Sequence, residues 1–311
     1  MILSHRVTRE EEGRALLLIL RQSMGLSSSA VKALKRNGGI EVDGALRFTI
    51  YEVKAGELVT ADLARGEDES DNLPEDGELE ILYEDEGLLA VNKPPGLIVH
   101  PTHSRNHGTL SNFVAGYLER SGVRPICHIV NRLDRDTSGV VLFAKNAHMK
   151  ALAIEALKKG KKGYLAITNG ILKDSNGTIN HPIRRLQPRD MIRIVAPDGK
   201  QAITHYRTVA TGEIAGQACS VLDIILETGR THQIRVHCLA EGAPLLGDPL
   251  YFTAESKEAA QTFGLGRQLL HSHSLSFPHP QTGALTSIHA PIRDEQFLEI
   301  LKTLGYTLPE A

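Results

Sequence analysis

The block NRLDRDTSGVVLFAKN, residues 131–146, is the densest group of reactive side chains in the sequence. Arg132, Asp134, Arg135, Asp136, Thr137 and Ser138 crowd one short polar loop, Gly139 ends it, and the apolar run Val140 to Ala144 reads as a buried strand. Loops at the mouths of core strands commonly carry catalysis, and one ionised carboxylate there could act as a nucleophile or as a general base. The same residue types also build ordinary salt-bridged turns in which Asp136 or Thr137 caps its own backbone, so the loop alone does not decide. His100, His103, His107, His271 and His273 form a second reactive set at ligand-like spacing. No H-E-x-x-H or H-x-H-x-D pattern accompanies them, and no metal site is expected.

The elements that must position such a loop belong to a chain of 311 residues, long enough for one large and one small domain. Its formal charge of −2 conceals a strong asymmetry. Residues 65–86 hold eleven acids against Arg65 alone, which leaves 34 bases and 26 acids elsewhere, a surplus of eight. The bases are grouped as Lys32/Lys35/Arg36, Lys158/Lys159/Lys161/Lys162 and Arg184/Arg185/Arg189/Arg193, the way phosphate-facing surfaces are written. Cys127, Cys219 and Cys238 are odd in number and far apart, which excludes a disulfide framework and a thiolate zinc site. With neither a signal peptide nor an 18-residue apolar run, a cytoplasmic location is expected.

Along the chain, Glu10 to Glu12 mark a helix start, Ala15 to Leu20 its apolar run and Gly25 its end. Ser27 or Ser28 is placed to cap a second helix that stops at Asn37-Gly38-Gly39, with Lys32, Lys35 and Arg36 sharing one face. Asp43-Gly44 and Ala55-Gly56 then punctuate alternating apolar residues, the pattern of hairpins. This helix pair, the Ser-x-x-Lys-x-x-Lys-Arg helix, GGIEVDG and YEVKAGELVTAD resemble the S4-type RNA-binding domain. Residues 1–64 are therefore expected to be an S4-like domain with Lys32, Lys35 and Arg36 on RNA. Residues 65–77 read as a flexible acidic linker.

Residues 78–311 mix strand patterns (140–144, 164–168, 191–195, 221–226) with helical stretches at 109–120, 147–159 and 231–241. The absence of a βαβ rhythm predicts an α+β domain with a mostly antiparallel mixed sheet. NRLDRDTSG resembles the signature loop of the RluA-type pseudouridine synthases, His-Arg-Leu-Asp-x-x-Thr-Ser-Gly, with Asn131 where histidine is usual. KGYLA (162–166), LETGRTHQIRVH (226–237), PLLGDPLY (244–251), LLHSHSLSFPHPQTG (269–283) and YEDEGLLAVNKPPGLIVHP fit in the same order, so the resemblance spans nearly the whole chain.

That resemblance implies the pseudouridine synthase fold with a central cleft and a reaction that detaches uracil from C1′ of its ribose, turns it and rejoins it through C5. Nothing is oxidised or lost, so no cofactor is expected. It implies Asp134 as the essential carboxylate, Arg132 in the space left by a flipped-out uridine, Tyr164 against the base, and Arg230 as the cation paired with Asp134. The residues themselves do not separate Arg230 from Arg235 in that last role. Apolar residues after Gly139, with Ile234 and Leu246, are expected to line the pocket and exclude water. Large-subunit ribosomal RNA is the implied substrate, with transfer RNA and a non-catalytic RNA-binding or assembly factor as alternatives. A monomer without an obligate protein partner is expected.

Overall fold

The computed structural model describes residues 1–66, 73–101 and 106–308. His103 and residues 67–72 of the acidic stretch lie outside the described residues.

The N-terminal unit folds as the turn chemistry dictates. Ile2–Arg6, Leu58–Asp62, Ile40–Val42 and Ala45–Leu46 lie side by side in a four-stranded sheet, with Asp43 and Gly44 at φ 49° and 78° supplying the positive dihedrals of a tight hairpin. Ser27 Oγ accepts from the Ala30 amide 3.1 Å away and starts the helix Ser28–Arg36. Val31 and Leu34 bury against Val42 and Val59, while Lys32, Lys35 and Arg36 are exposed. The first expected helix begins later than its acids suggest, at Leu16, and continues as a π-helical turn, Ile19–Ser23. Glu11 does not cap it. Its carboxylate sits buried, accepting from Ser23 Oγ and the Thr8 amide and meeting the His5 ring.

The larger unit is built on a ten-stranded sheet. From one edge it runs Asn176–Asn180, Ile203–Ile214, Gln217–Leu226, Lys161–Asn169, Leu270–Pro278, Ser138–Ala144, Leu88–Lys93 and Glu80–Glu84, with Leu285–His289 and His128–Ile129 as side partners. Pairing is antiparallel except where Leu270–Pro278 meets Ser138–Ala144, aligning His271 with Ser138 and Ser272 with Gly139. The expected α+β, mostly antiparallel mixed sheet is thus observed. Every residue of Ser138–Ala144 is buried, because helices cover both faces. Val141 and Phe143 meet Leu110, Val114 and Leu118 of the helix Leu110–Arg120 on one side. Val140, Leu142 and Ala144 meet Met149 and Ala153 of the helix Ala147–Lys158 on the other. Among the described residues no helix is long and apolar enough to cross a membrane.

The expected flexible linker is a docked segment from residue 73 onward. The Leu73 carbonyl accepts from Asn112 Nδ2, the Glu75 carboxylate accepts from the Gly108 amide and meets His107, and Asp76 pairs with Arg120. Its acids are spent on a helix N-terminus and basic side chains rather than on mutual repulsion.

The parallel joint explains Gly139. Its φ of +115° suits glycine alone, and a Cβ there would lie 2.1 Å from the Ser272 carbonyl oxygen. Gly139→Ala is expected to cost about 3–5 kcal/mol and to lower Tm by roughly 10 °C. Gly266→Ala, which meets open space, is the matched control and should melt within about 2 °C of wild type. Thermal unfolding of the two variants checks both.

Candidate active site

The polar loop is fixed from beneath before any of its side chains is considered. Thr137 N donates to Asp134 O at 3.2 Å and closes the turn. Lys93, with no exposed surface, donates its three ammonium protons to the carbonyls of Pro94, Leu97 and Arg135 at 2.7–2.9 Å. Burial pushes that ammonium down to about 7, with Asp136 and Asp134 pulling the other way. Arg267 holds the Asp136 carbonyl at 3.2 Å while paired with Asp294, and Gln268 donates to Thr137 Oγ1 at 3.1 Å. Arg135 and Asp136 satisfy each other, Nη2 to Oδ2 at 2.9 Å. Asn131 ties the loop to the strand behind it: Nδ2 donates to Val140 O at 3.1 Å, and Oδ1 accepts from Leu142 N at 2.7 Å.

Asp134 is left facing a cleft of 570 Å³ whose walls include Arg132, Lys162, Tyr164, Arg230, His232 and Arg235. Its side chain is 25% exposed, and its Oδ2 receives Arg235 Nη1 at 3.2 Å. Arg235 itself is buried on the helix Gln233–Ala240, where Nε and Nη2 grip both oxygens of Asp248 at 2.6 and 2.8 Å and the guanidinium carbon stands 5.0 Å from the Tyr251 ring centre. Burial alone would lower the affinity of Arg235 for its proton; Asp248, and after it Asp134, outweigh that and raise it. Asp248 also accepts from the Leu250 and Tyr251 amides, so its buried charge is fully engaged.

The ion pair with Asp134 is therefore made by Arg235 and not by Arg230. Arg230 precedes the helix, is exposed, and spends its Nε on the Gln201 carbonyl at 2.9 Å. The cleft wall between them is held by Gln233, whose Oε1 accepts from the Arg230 amide and Thr228 Oγ1 and whose Nε2 donates to Ile203 O and Thr204 Oγ1, all at 2.9–3.0 Å. Tyr164 lines the cleft from the Lys161–Asn169 strand and is 7% exposed. Burial pushes its hydroxyl up to about 12, the Ser272 hydrogen bond opposing and the Asp134 charge adding, so it stays protonated at neutral pH. Arg132 is exposed at the rim. Leu133, Ile154, Leu157, Leu226, Ile234 and Leu270 form the apolar lining. Leu246 and the residues after Gly139 do not: Leu246 packs against Phe297 in a separate cluster, and Val140 to Ala144 lie inside the sheet. Lys32, Lys35 and Arg36 belong to the other unit and are not among the cleft-lining residues.

Of the histidines, His271 is buried between Ser138 Oγ at 2.8 Å and the Ala290 carbonyl at 2.9 Å, and His273 faces Asp223 at 3.5 Å. Among the described residues no group of three or more His, Cys, Asp or Glu is disposed to hold a metal ion.

This arrangement matches known proteins over most of its length. The sequence profile of the RNA pseudouridylate synthase family matches residues 87–240, which include the loop, Tyr164, the helix carrying Arg235 and much of the cleft. The Bacillus subtilis "uncharacterized RNA pseudouridine synthase YhcT" is 36% identical over 92% of this chain and 92% of its own. This chain belongs to the RNA pseudouridine synthase family. The synthase is also 36% identical to the "ribosomal large subunit pseudouridine synthase D" of Pseudomonas aeruginosa, over 89% of this chain and 88% of that one. Among solved structures, human RNA pseudouridylate synthase domain containing 1 superposes on 73% of this chain and 86% of its own, with a TM-score of 0.57 and 26% identity. Its domain containing 4 counterpart superposes on 74% and 95%, with a TM-score of 0.58 and 21% identity, and shares the fold.

Lys93, Gln233 and Asp248 carry roles that their sequence segments did not suggest, and Arg235 fills the role that the sequence left open between it and Arg230. The available signal was the lone acid of PLLGDPLY beside an apolar run, which demands a buried cation. Arg235→Met, which leaves Asp248 charged and unpaired, is expected to destabilise the synthase by about 3–5 kcal/mol. Arg230→Met should stay within about 0.5 kcal/mol. Denaturant melts of the two variants test the assignment, and equal losses would reject it.

Proposed function

We propose that this synthase isomerises specific uridines of large-subunit ribosomal RNA to pseudouridine, with Asp134 as the reacting carboxylate. One observation carries the reading: the Asp134 carboxylate opens onto a cleft of mixed polar and apolar lining with a buried guanidinium on one of its oxygens. Arg235 sets a permanent positive charge against that oxygen, the natural partner of a carboxylate. The ionised group can then attack C1′ or take the C2′ proton, and either route releases uracil inside a pocket where water would leave an abasic site. Within the cleft the base turns, C5 bonds to C1′ as the carboxylate leaves C1′ or returns its proton to C2′, and the C5 proton is then lost while N1 gains one. Atoms are conserved and no electrons are exchanged, so the reaction needs no cofactor.

A uridine in folded RNA must leave its stack to reach this depth. Arg132 at the rim fills the vacated space with a planar guanidinium, and Tyr164 offers its ring to the extruded uracil. Arg230 contributes a rim charge for the RNA backbone rather than the partner of Asp134. Ribosomal RNA is favoured over transfer RNA because relatives matched along most of the chain carry large-subunit names. Residues 1–64 act as an S4-like RNA-binding unit, with Lys32, Lys35 and Arg36 on phosphates, and the protein works as a single chain in the cytoplasm.

Pseudouridine mapping by carbodiimide modification and primer extension, on both RNA pools from cells lacking the gene, tests reaction and substrate together. One or a few large-subunit sites are expected to vanish and to return with wild type but not with Asp134→Asn. Loss confined to transfer RNA would move the substrate, and no loss in either pool would leave a binding factor on this fold. Replacing Lys32, Lys35 and Arg36 together by alanine should weaken RNA binding and reduce the slope of log K against log salt by about two to three. An unchanged slope in a salt titration would remove the N-terminal helix from the interface.

A further inference from the structure

His232 stands beside the Asp134 loop in the left-handed conformation that is uncommon for residues other than glycine, with φ 59° and ψ 20°. Hydrogen bonds hold it there: the Gln233 amide donates to Arg230 O at 3.1 Å, and the His232 carbonyl accepts from Val236 N at 2.9 Å. Strained backbone of this kind persists where its surroundings determine it, and it clusters at working sites. Here it sends the imidazole between two partners. Nε2 faces Asp134 Oδ2 at 3.8 Å, and Nδ1 lies 2.8 Å from the Tyr251 hydroxyl.

The hydroxyl decides which nitrogen carries the proton. Arg193 N donates to Tyr251 Oη at 2.8 Å, so that oxygen is already an acceptor. With one lone pair engaged by Arg193, its own proton is available to His232 Nδ1, the arrangement that leaves Nδ1 bare and carries the imidazole proton on Nε2. The ring is neutral at neutral pH, since burial holds it below the usual histidine range although Asp134 pulls upward, and Arg235 and Arg193 add to the lowering.

We propose that His232 is a positioning residue for Asp134, locked by Tyr251 as the Nε2–H tautomer, so that His232 and Arg235 together pin Oδ2 and leave Oδ1 as the oxygen offered to the ribose. Among the described residues both recorded protein contacts of the carboxylate fall on Oδ2 and none on Oδ1. The 3.8 Å gap is wider than a hydrogen bond, and it closes when substrate fills the cleft, as catalytic contacts commonly tighten in the bound complex. A neutral donor adds orientation without a second full charge, so it holds the carboxylate while leaving its reactivity to Arg235. The inference rests on Asp134 being the reacting group.

Long-range proton–nitrogen correlation spectra of the full-length labelled protein read the tautomer directly, with the His232 signal identified by its absence in His232→Asn and independently in His232→Gln. Wild type is expected to show Nε2–H with bare Nδ1, and Tyr251→Phe, which keeps the ring beneath Arg235, a mixture of tautomers. In single-turnover assays Tyr251→Phe should slow pseudouridine formation by about tenfold or more while RNA affinity stays within about twofold. His232→Gln, which retains a donor near the Nε2 position, should be faster than His232→Asn. An Nδ1–H tautomer in wild type overturns the proposal, and so does an unchanged rate in a Tyr251→Phe protein whose tautomers are mixed. Persistent activity in Asp134→Asn would instead sink the reading of Asp134, and the tautomer result would stand apart from it.

Discussion

A single buried guanidinium, Arg235, holds two carboxylates that would otherwise be intolerable. Asp248 has no exposed side-chain surface, and Asp134, 25% exposed, faces the cleft. Removing such charges from solvent costs several kcal/mol each unless geometry and further hydrogen bonds restore what is lost. The planar fork meets that demand: one edge takes both oxygens of Asp248, and the remaining Nη1 is left pointing at Asp134. A lysine would supply the charge without the fixed division between partners. The Leu250 and Tyr251 amides complete Asp248, the Tyr251 ring closes over the guanidinium, and its hydroxyl reaches His232. Much of the segment 244–251 is therefore explained by one cation's need for a rigid seat.

That dependence also shows what could be read from the chain and what could not. The central strand announced itself by the apolar run Val140 to Ala144, although it begins two residues earlier, and the helix Ser28–Arg36 by its serine cap and Asn-Gly-Gly stop, because both signals are local. The loop bearing Asp134 was legible for the same reason. The partner of Asp134 was not. Arg230 and Arg235 share one motif, and the helical stretch expected from 231 put one just before it and the other on it without choosing between them. The helix begins at Gln233, after the left-handed His232, so Arg230 falls in the rim while Arg235 turns inward. What selects between them is Asp248, thirteen residues beyond Arg235, and a contact at that separation leaves no periodicity to find.

Charged residues misled in the other direction where tertiary partners absorbed them. Glu10 to Glu12 look like the first turn of a helix, but Ser23, His5 and the Thr8 amide claim Glu11 and defer the helix to Leu16. Glu75 and Asp76 look like part of a self-repelling linker, yet they dock on Gly108, His107 and Arg120. In both cases an acid's local preference lost to partners that sequence distance hides.

Asn131 shows what a departure from the family loop does to the way that loop is fastened. Val140 O can only accept and Leu142 N can only donate, so these two groups fix the amide with Nδ2 on the first and Oδ1 on the second. A carboxamide presents its donor and acceptor side by side and bridges two same-side backbone groups of a strand. An imidazole's two nitrogens diverge around the ring and cannot meet both in that way. Asparagine at this position therefore serves the joint between loop and strand, at the edge of the cleft it also lines. With Lys93 and Arg267 gripping the next carbonyls, the geometry of Asp134 is set by backbone anchors on either side of it. The substitution at 131 is felt in how the loop is fastened, while the carboxylate keeps its place against Arg235.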